Sequence, residues 1–271
     1  MNHMNDRWQP DFLEKSAIFN DLAKLLQKRQ WSDWPSCEVL MGLIEQPIYN
    51  AEGRAIRFHS QDHMLPNPEL YYEMRVFLTG VISTRLVNWH DFFNAMIWLS
   101  YPATKALLNA QHVAELMHQP DKKRTTKRDA LTLFDECGVI FAYCDEARQI
   151  ALDIHEWKAL FWCNRSHWGR DCQAYVFGHA LYQKALNPYL GLTGKALSIQ
   201  VNDTFFLEPK KQQWFILDQL VCQHILQNDG LSRPADLAAF PLLGVPGWYA
   251  ENTSEAFYEN SQYFRPKKRF G

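Results

Sequence analysis

Residues 88–112 read NWHDFFNAMIWLSYPATKALLNAQH. Within 88–100, Trp89, Phe92, Phe93, Met96 and Ile97 recur at i, i+3, i+4, i+7 and i+8, which is one apolar face of an α-helix. Asn88 is suited to cap that helix, and Asp91 stands three residues on, where a side chain reaches back to the cap. Pro102 fits the first turn of a second helix over 102–118. So short a join makes the two helices neighbours. Each also carries a polar stripe, His90 with Asn94 on the first, and Lys105, Asn109 and His112 on the second. The two stripes are expected to border one cleft.

Working outward, residues 11–29 carry a helical stripe through Phe12, Ile18, Phe19, Leu22 and Leu26. Residues 38–44 and 54–59 read as short extended pieces, and Pro66 and Pro68 break any helix between them and the next element. Residues 70–84 read as helical up to Gly80. On the other side of the pair, 121–128 is a basic connector, DKKRTTKR. In 129–144, DALTLF and VIFAYC flank Asp135-Glu136-Cys137-Gly138, which predicts a β-hairpin. Helices are expected over 146–163, 174–186 and 214–226, the last stopping at Asn228-Asp229-Gly230. A second hairpin is expected over 196–207, turning at Asn202-Asp203. Residues 233–271 are rich in proline and aromatics and end in a basic tail at 267–269. The expected fold class is α+β: a predominantly helical single domain over 1–271, with one or two β-hairpins and 233–271 as an extended aromatic C-terminal arm.

Composition narrows the function classes. The chain has 271 residues, 28 Lys+Arg against 30 Asp+Glu, and 14% aromatics. So many aromatics exclude a disordered chain, and a net charge of −2 excludes a histone-like cationic binder. No run of eighteen apolar residues exists, so no membrane partner is expected. The start MNHMNDRWQP lacks the apolar run of a secretory leader. Six cysteines occur with no C-x-x-C pair, which predicts reduced, mostly buried thiols in a cytoplasmic protein.

The residues that can carry chemistry are His90, Asp91, Asp129, Asp135, Glu136 and His179. Imidazoles and carboxylates converging on one cleft suit a divalent metal ion, or a general acid and base. Asn94, Lys105, Asn109 and Arg128 are suited to hold an anionic group. Each residue also has a plainer reading. Asp91 completes a cap, Asp135 and Glu136 are exposed turn residues, Asp129 pairs with Arg128 at the surface, and His179 is a core histidine. His59 and His63 have i, i+4 spacing, but the segment reads as extended. The stretch 191–195, GLTGK, is too short for a phosphate loop and is followed by Ala196. Cys172 with His179 is a weak nucleophile pair, and no G-x-S-x-G elbow is present.

The motifs NWHDFFNAMIW, YPATKALLNAQH, KRDALTLFDECG and VFGHAL, in this order, resemble a proteobacterial family labelled only as a domain of unknown function. The resemblance covers residues 70–200 and, more loosely, PLLGVPGW in the arm. It implies that His90, Asp91, Asn94, Lys105, Asn109, Arg128, Asp129, Asp135, Glu136 and His179 belong to the family pattern. Cys137 departs from it, where a polar turn residue is more usual. The resemblance brings no activity. Two functions are therefore carried forward. One is a hydrolase- or lyase-type enzyme using a metal or acid/base cluster on a small anionic, phosphate-like substrate. The other is a non-catalytic module that binds RNA or a protein through 121–128 and the arm.

Overall fold

The computed structural model describes residues 7–27, 29, 31–118, 124–227 and 230–267. The stripe at 11–29 does not form one helix. Ser16 is extended and its hydroxyl accepts from the Ile18 N–H, which restarts the chain after the 3-10 turn Phe12–Glu14. A second 3-10 turn, Ala17–Phe19, then leads into α1 (Asn20–Leu25). The segment expected to be extended at 38–44 is instead α2 (Cys37–Met41). The Ser36 hydroxyl caps it by accepting from Val39 N, and a good N-cap outweighs the weak strand pattern. The extended reading at 54–59 corresponds to β1 (Arg57–Ser60). Next come α3 (Tyr72–Thr79) and β2 (Val81–Thr84), which pairs parallel with β1. Gly80 joins them at φ +72°, a left-handed helix end that favours glycine.

The central helix pair forms as its sequence dictates. In α4 (Trp89–Ser100) the Asn88 side chain accepts from Asp91 N at 3.0 Å. Asp91 does not reach back to the cap; its carboxylate turns to Arg85. Pro102 opens α5 (Pro102–His118). Ala103 and Thr104 at its start donate to the carboxylate of Asp218, far along the chain, at 2.8 and 2.7 Å.

The first expected hairpin is a helix followed by a strand. α6 (Thr126–Cys137) starts where the Thr125 hydroxyl accepts from Arg128 N, and it buries Ala130, Leu131 and Phe134 on one face. That spacing is helical, so the reading of DALTLF as a strand assigned the wrong period. Asp135 and Glu136 thus lie in the last turn of a helix. β3 (Gly138–Tyr143) follows, buried at every residue. α7 (Glu146–Asp153) ends early, with His155 at φ +62°, and the chain resumes as a π-turn at Ala159–Cys163. Where a helix was expected from 174, β4 (Cys172–Val176) pairs antiparallel with β3, and α8 (His179–Ala185) comes after it.

The second expected hairpin is also absent. β5 (Thr193–Gln200) lies parallel to β3 on one edge. After α9 (Lys210–Leu226), β6 (Ala238–Pro241) takes its other edge. With both edges of β5 occupied, the chain beyond Val201 adds no strand and ends in the 3-10 turn Phe205–Leu207. The sheet order is β4-β3-β5-β6, and the class is α+β with helix dominant.

One aromatic-rich core runs from Trp8 to Phe264. Trp89 stacks on Trp8 at 4.7 Å and on Phe93 at 5.3 Å between ring centroids, which fixes the N-terminal segment to α4. The arm packs inward. Tyr263 donates to Leu192 O at 2.6 Å, and Asn252, fully buried, donates to Leu243 O and Val245 O. The connector residues 121–123, the helix stop at 228–229 and the basic tail at 268–269 lie outside the described residues.

Candidate metal centre

Three helix ends meet at one point. His90 is in the first turn of α4, Glu136 in the last turn of α6, and His179 is the first residue of α8. Gly178 makes the meeting sterically feasible. A Cβ there would stand 2.5 Å from both the Glu136 carbonyl oxygen and Gly138 N, so only glycine lets α8 start against the end of α6. His179 Nε2 lies 3.0 Å from His90 Nε2 and 3.6 Å from Glu136 Oε1, and His90 Nε2 lies 3.8 Å from Glu136 Oε1. Among the described residues these are the three donors that come within 4.8 Å of one another in a geometry able to hold an ion. His179 is buried, whereas His90 and Glu136 keep about a third of their side-chain surface (30% and 36%), so the cluster opens to solvent on their side.

The electrostatics of the cluster favour a cation between the rings. Burial, then the neighbouring His179, pushes His90 below its ordinary value. Burial alone would raise Glu136, but the adjacent His179 and His90 outweigh it and hold the carboxyl below the usual range. With a metal in place, the two imidazoles and the carboxylate would offer it two nitrogen lone pairs and an anionic oxygen. Metal–nitrogen bonds of about 2.0–2.1 Å, at right angles to tetrahedral, separate ligand atoms by roughly 3.0–3.4 Å. The observed spacings start in that range and need Glu136 to move by a fraction of an ångström.

A buried polar layer lies behind the donors. His179 Nδ1, itself without a hydrogen bond, faces Asp135 Oδ2 at 4.0 Å. Asp135 accepts from Lys105 Nζ at 2.6 Å, and Lys105 is buried with its ammonium 5.6 Å over the Trp98 ring. Burial would raise the Asp135 carboxyl, but Lys105 and then His179 overcome it and hold it low. Asn109 donates to Glu73 O and Oε2, and Asn94 to the Tyr72 hydroxyl. Burial raises Glu73 and presses His112 down to about 4. A cavity of about 10 Å³ lies among Trp98, Lys105, Asn109, His112 and Asp135, room for about one water.

The ten residues singled out by sequence therefore divide. His90, Glu136 and His179 converge, with Asp135 and Lys105 directly behind and Asn94 and Asn109 deeper in the same layer. Asp91 is turned to Arg85 at 2.8 Å, and Asp129 pairs with Arg124 at 3.0 Å at the surface. Arg128 is half-buried in the first turn of α6. Glu73 and Tyr72 join the layer without having been singled out. The available signal was Glu73 three residues before the buried Val76, an acid on the core face of α3. Elsewhere, the His59 and His63 rings are 6.3 Å apart with no third donor of that geometry among the described residues, and Gly194 and Lys195 belong to β5. Cys172 is buried and its thiol is pushed far up by burial, the reverse of an activated nucleophile.

Among the described residues no helix is long and apolar enough to cross a membrane. Comparison with curated proteins and with solved structures finds no match. Residues 56–268 match the family described as protein of unknown function (DUF3025), a span that includes all three converging donors and the layer behind them, and the chain belongs to that family.

Proposed function

We propose that this protein is a divalent-metal-dependent hydrolase acting on a small anionic, phosphate-like substrate. The observation that carries the reading is the convergence of His90 Nε2, His179 Nε2 and Glu136 Oε1 at the solvent-facing junction of three helices. Two imidazoles and one carboxylate are a common ligand set for zinc hydrolases and for iron(II), and they leave positions open for water and substrate. A divalent ion held by His90, His179 and Glu136 would lower the pKa of a bound water toward about 7 and so supply a nucleophile near neutral pH. Attack of that water's oxygen at phosphorus would break the P–O bond of an ester, and the departing alkoxide would take up a proton from solvent. Water and ester thus become alcohol and phosphate. An anionic substrate would suit the site because a phosphoryl oxygen could take a position left open on the ion. Asp135 and Lys105 would orient His179 from behind.

Native mass spectrometry with elemental analysis of the purified protein tests the reading. One equivalent of a divalent metal is expected, lost in His90→Ala, Glu136→Gln and His179→Ala variants that keep the wild-type circular dichroism. Metal-dependent release of 4-nitrophenol from 4-nitrophenyl phosphate is expected of the loaded protein. Failure to retain zinc or iron(II) after dialysis against either overturns the metal reading.

A further inference from the structure

A second concavity lies at the other end of α4. It has a volume of about 360 Å³, within the range of small-molecule sites. Leu25, Leu43, Ile44, Leu99, Trp214 and Phe215 form its walls. Leu99 lies nine residues beyond His90, or about 14 Å along the helix axis, so an occupant does not reach the candidate metal centre. One wall, which includes Leu25, Leu43, Ile44 and Ile48, precedes the segment matched to the family. Phe215 is 60% exposed on α9, a large apolar surface left open at this concavity.

The lining carries two cations, Arg29 and Lys211, and two carboxylates, Glu45 and Asp218, but they are not evenly partnered. Lys211 Nζ donates to both oxygens of Glu45, at 2.7 and 2.9 Å. The Asp218 oxygens are taken by Ala103 N and Thr104 N at the start of α5. Arg29 lines the same space, is exposed, and has no ion-pair partner among the described residues. Its guanidinium thus acts on Glu45 only through space and has no direct carboxylate partner among the described residues. Gln27, also in the lining, holds φ at +50°, a conformation uncommon outside glycine, asparagine and aspartate.

We propose that this concavity binds an amphipathic monocarboxylate, its apolar body of about eight to twelve carbons against Trp214, Leu99 and Ile44 and its carboxylate on Arg29. The guanidinium fork selects the anion, and the walls select the apolar tail.

Isothermal titration of the full chain with octanoate, octylammonium and octanol tests this. Octanoate is expected to bind saturably at one site, and octylammonium at least about tenfold more weakly. Arg29→Gln should weaken octanoate about tenfold, by removing a hydrogen-bonded charge. Ile44→Trp, at a half-buried position, should fill the chamber and abolish binding while leaving the thermal midpoint close to wild type. His179→Ala should bind octanoate as wild type does, which separates this site from the metal centre. No saturable binding of octanoate, equal binding of octylammonium, or octanoate binding unchanged in Ile44→Trp would each overturn the proposal.

Discussion

The pairing of Lys105 with Asp135 is the most consequential contact at the scale of single residues. Lys105 is buried and Asp135 half-buried, and each is the other's main charge compensation. Removing one partner strands a charge in a medium of low polarity, at a cost of about 3–5 kcal/mol, whereas replacing both costs much less. Lys105→Met and Asp135→Asn should therefore each lower the urea-unfolding free energy by more than the double variant does. Additive losses would show that the pair is not coupled. His112 is the second lever. Its pKa of about 4 lies below the ordinary 6.5 because burial disfavours the imidazolium. The unfolded chain then binds the proton more readily, so this contribution is fully present above about pH 6.5 and is lost as pH falls toward 4. The loss reaches about 3 kcal/mol in total, with a slope of up to about 1.4 kcal/mol per pH unit. In His112→Gln the stability curve between pH 6.5 and 4 should be flatter than wild type; parallel curves would refute the assignment.

At the scale of elements, the helix ends decide the architecture. Local side-chain caps set four of the starts: Ser36 for α2, Asn88 for α4, Thr125 for α6 and Asp145 for α7. α5 differs, because its first N–H groups are satisfied by Asp218 from the middle of α9. That carboxylate ties the two longest helices together at the junction of α4 and α5. Burial raises its pKa above the ordinary range, against the hydrogen bonds from Thr104 and Ala103. Asp218→Ala should cost about 2–3 kcal/mol by stranding two buried donors, and Asp218→Asn less, since one oxygen acceptor remains. Chemical denaturation of both variants checks the ranking, and equal loss would mean that packing, not capping, dominates there. The same logic of ends builds the candidate metal centre, where the starts of α4 and α8 meet the end of α6. A site at three termini needs no long loop, and its donors stand on rigid elements.

At the scale of the whole molecule, the aromatic residues hold the peripheral segments to the sheet and to α4. Trp8 stacks on Trp89, Phe134 on Phe177 at 4.6 Å, and the arm brings Tyr258, Tyr263 and Phe264 over Phe161 and Leu192. The sequence by itself determined the helices whose period and caps are local: α4, α5 and α9, and the close of α3 at Gly80. It also marked His90, Glu136 and His179 as chemically able, because side-chain type alone settles what can ligate. Only the tertiary structure decided that DALTLF is helix, that 172–176 is strand and that 202–207 adds no strand to the sheet. Short apolar runs take their conformation from the partners that bury them, and β3 and β6 lie far away in the chain. The tertiary structure also separated His90, Glu136 and His179 from Asp91 and Asp129, which turn to Arg85 and Arg124. Convergence of donors from three distant helices depends on how those helices pack, on Gly178 letting α8 start against α6, and no local spacing encodes it.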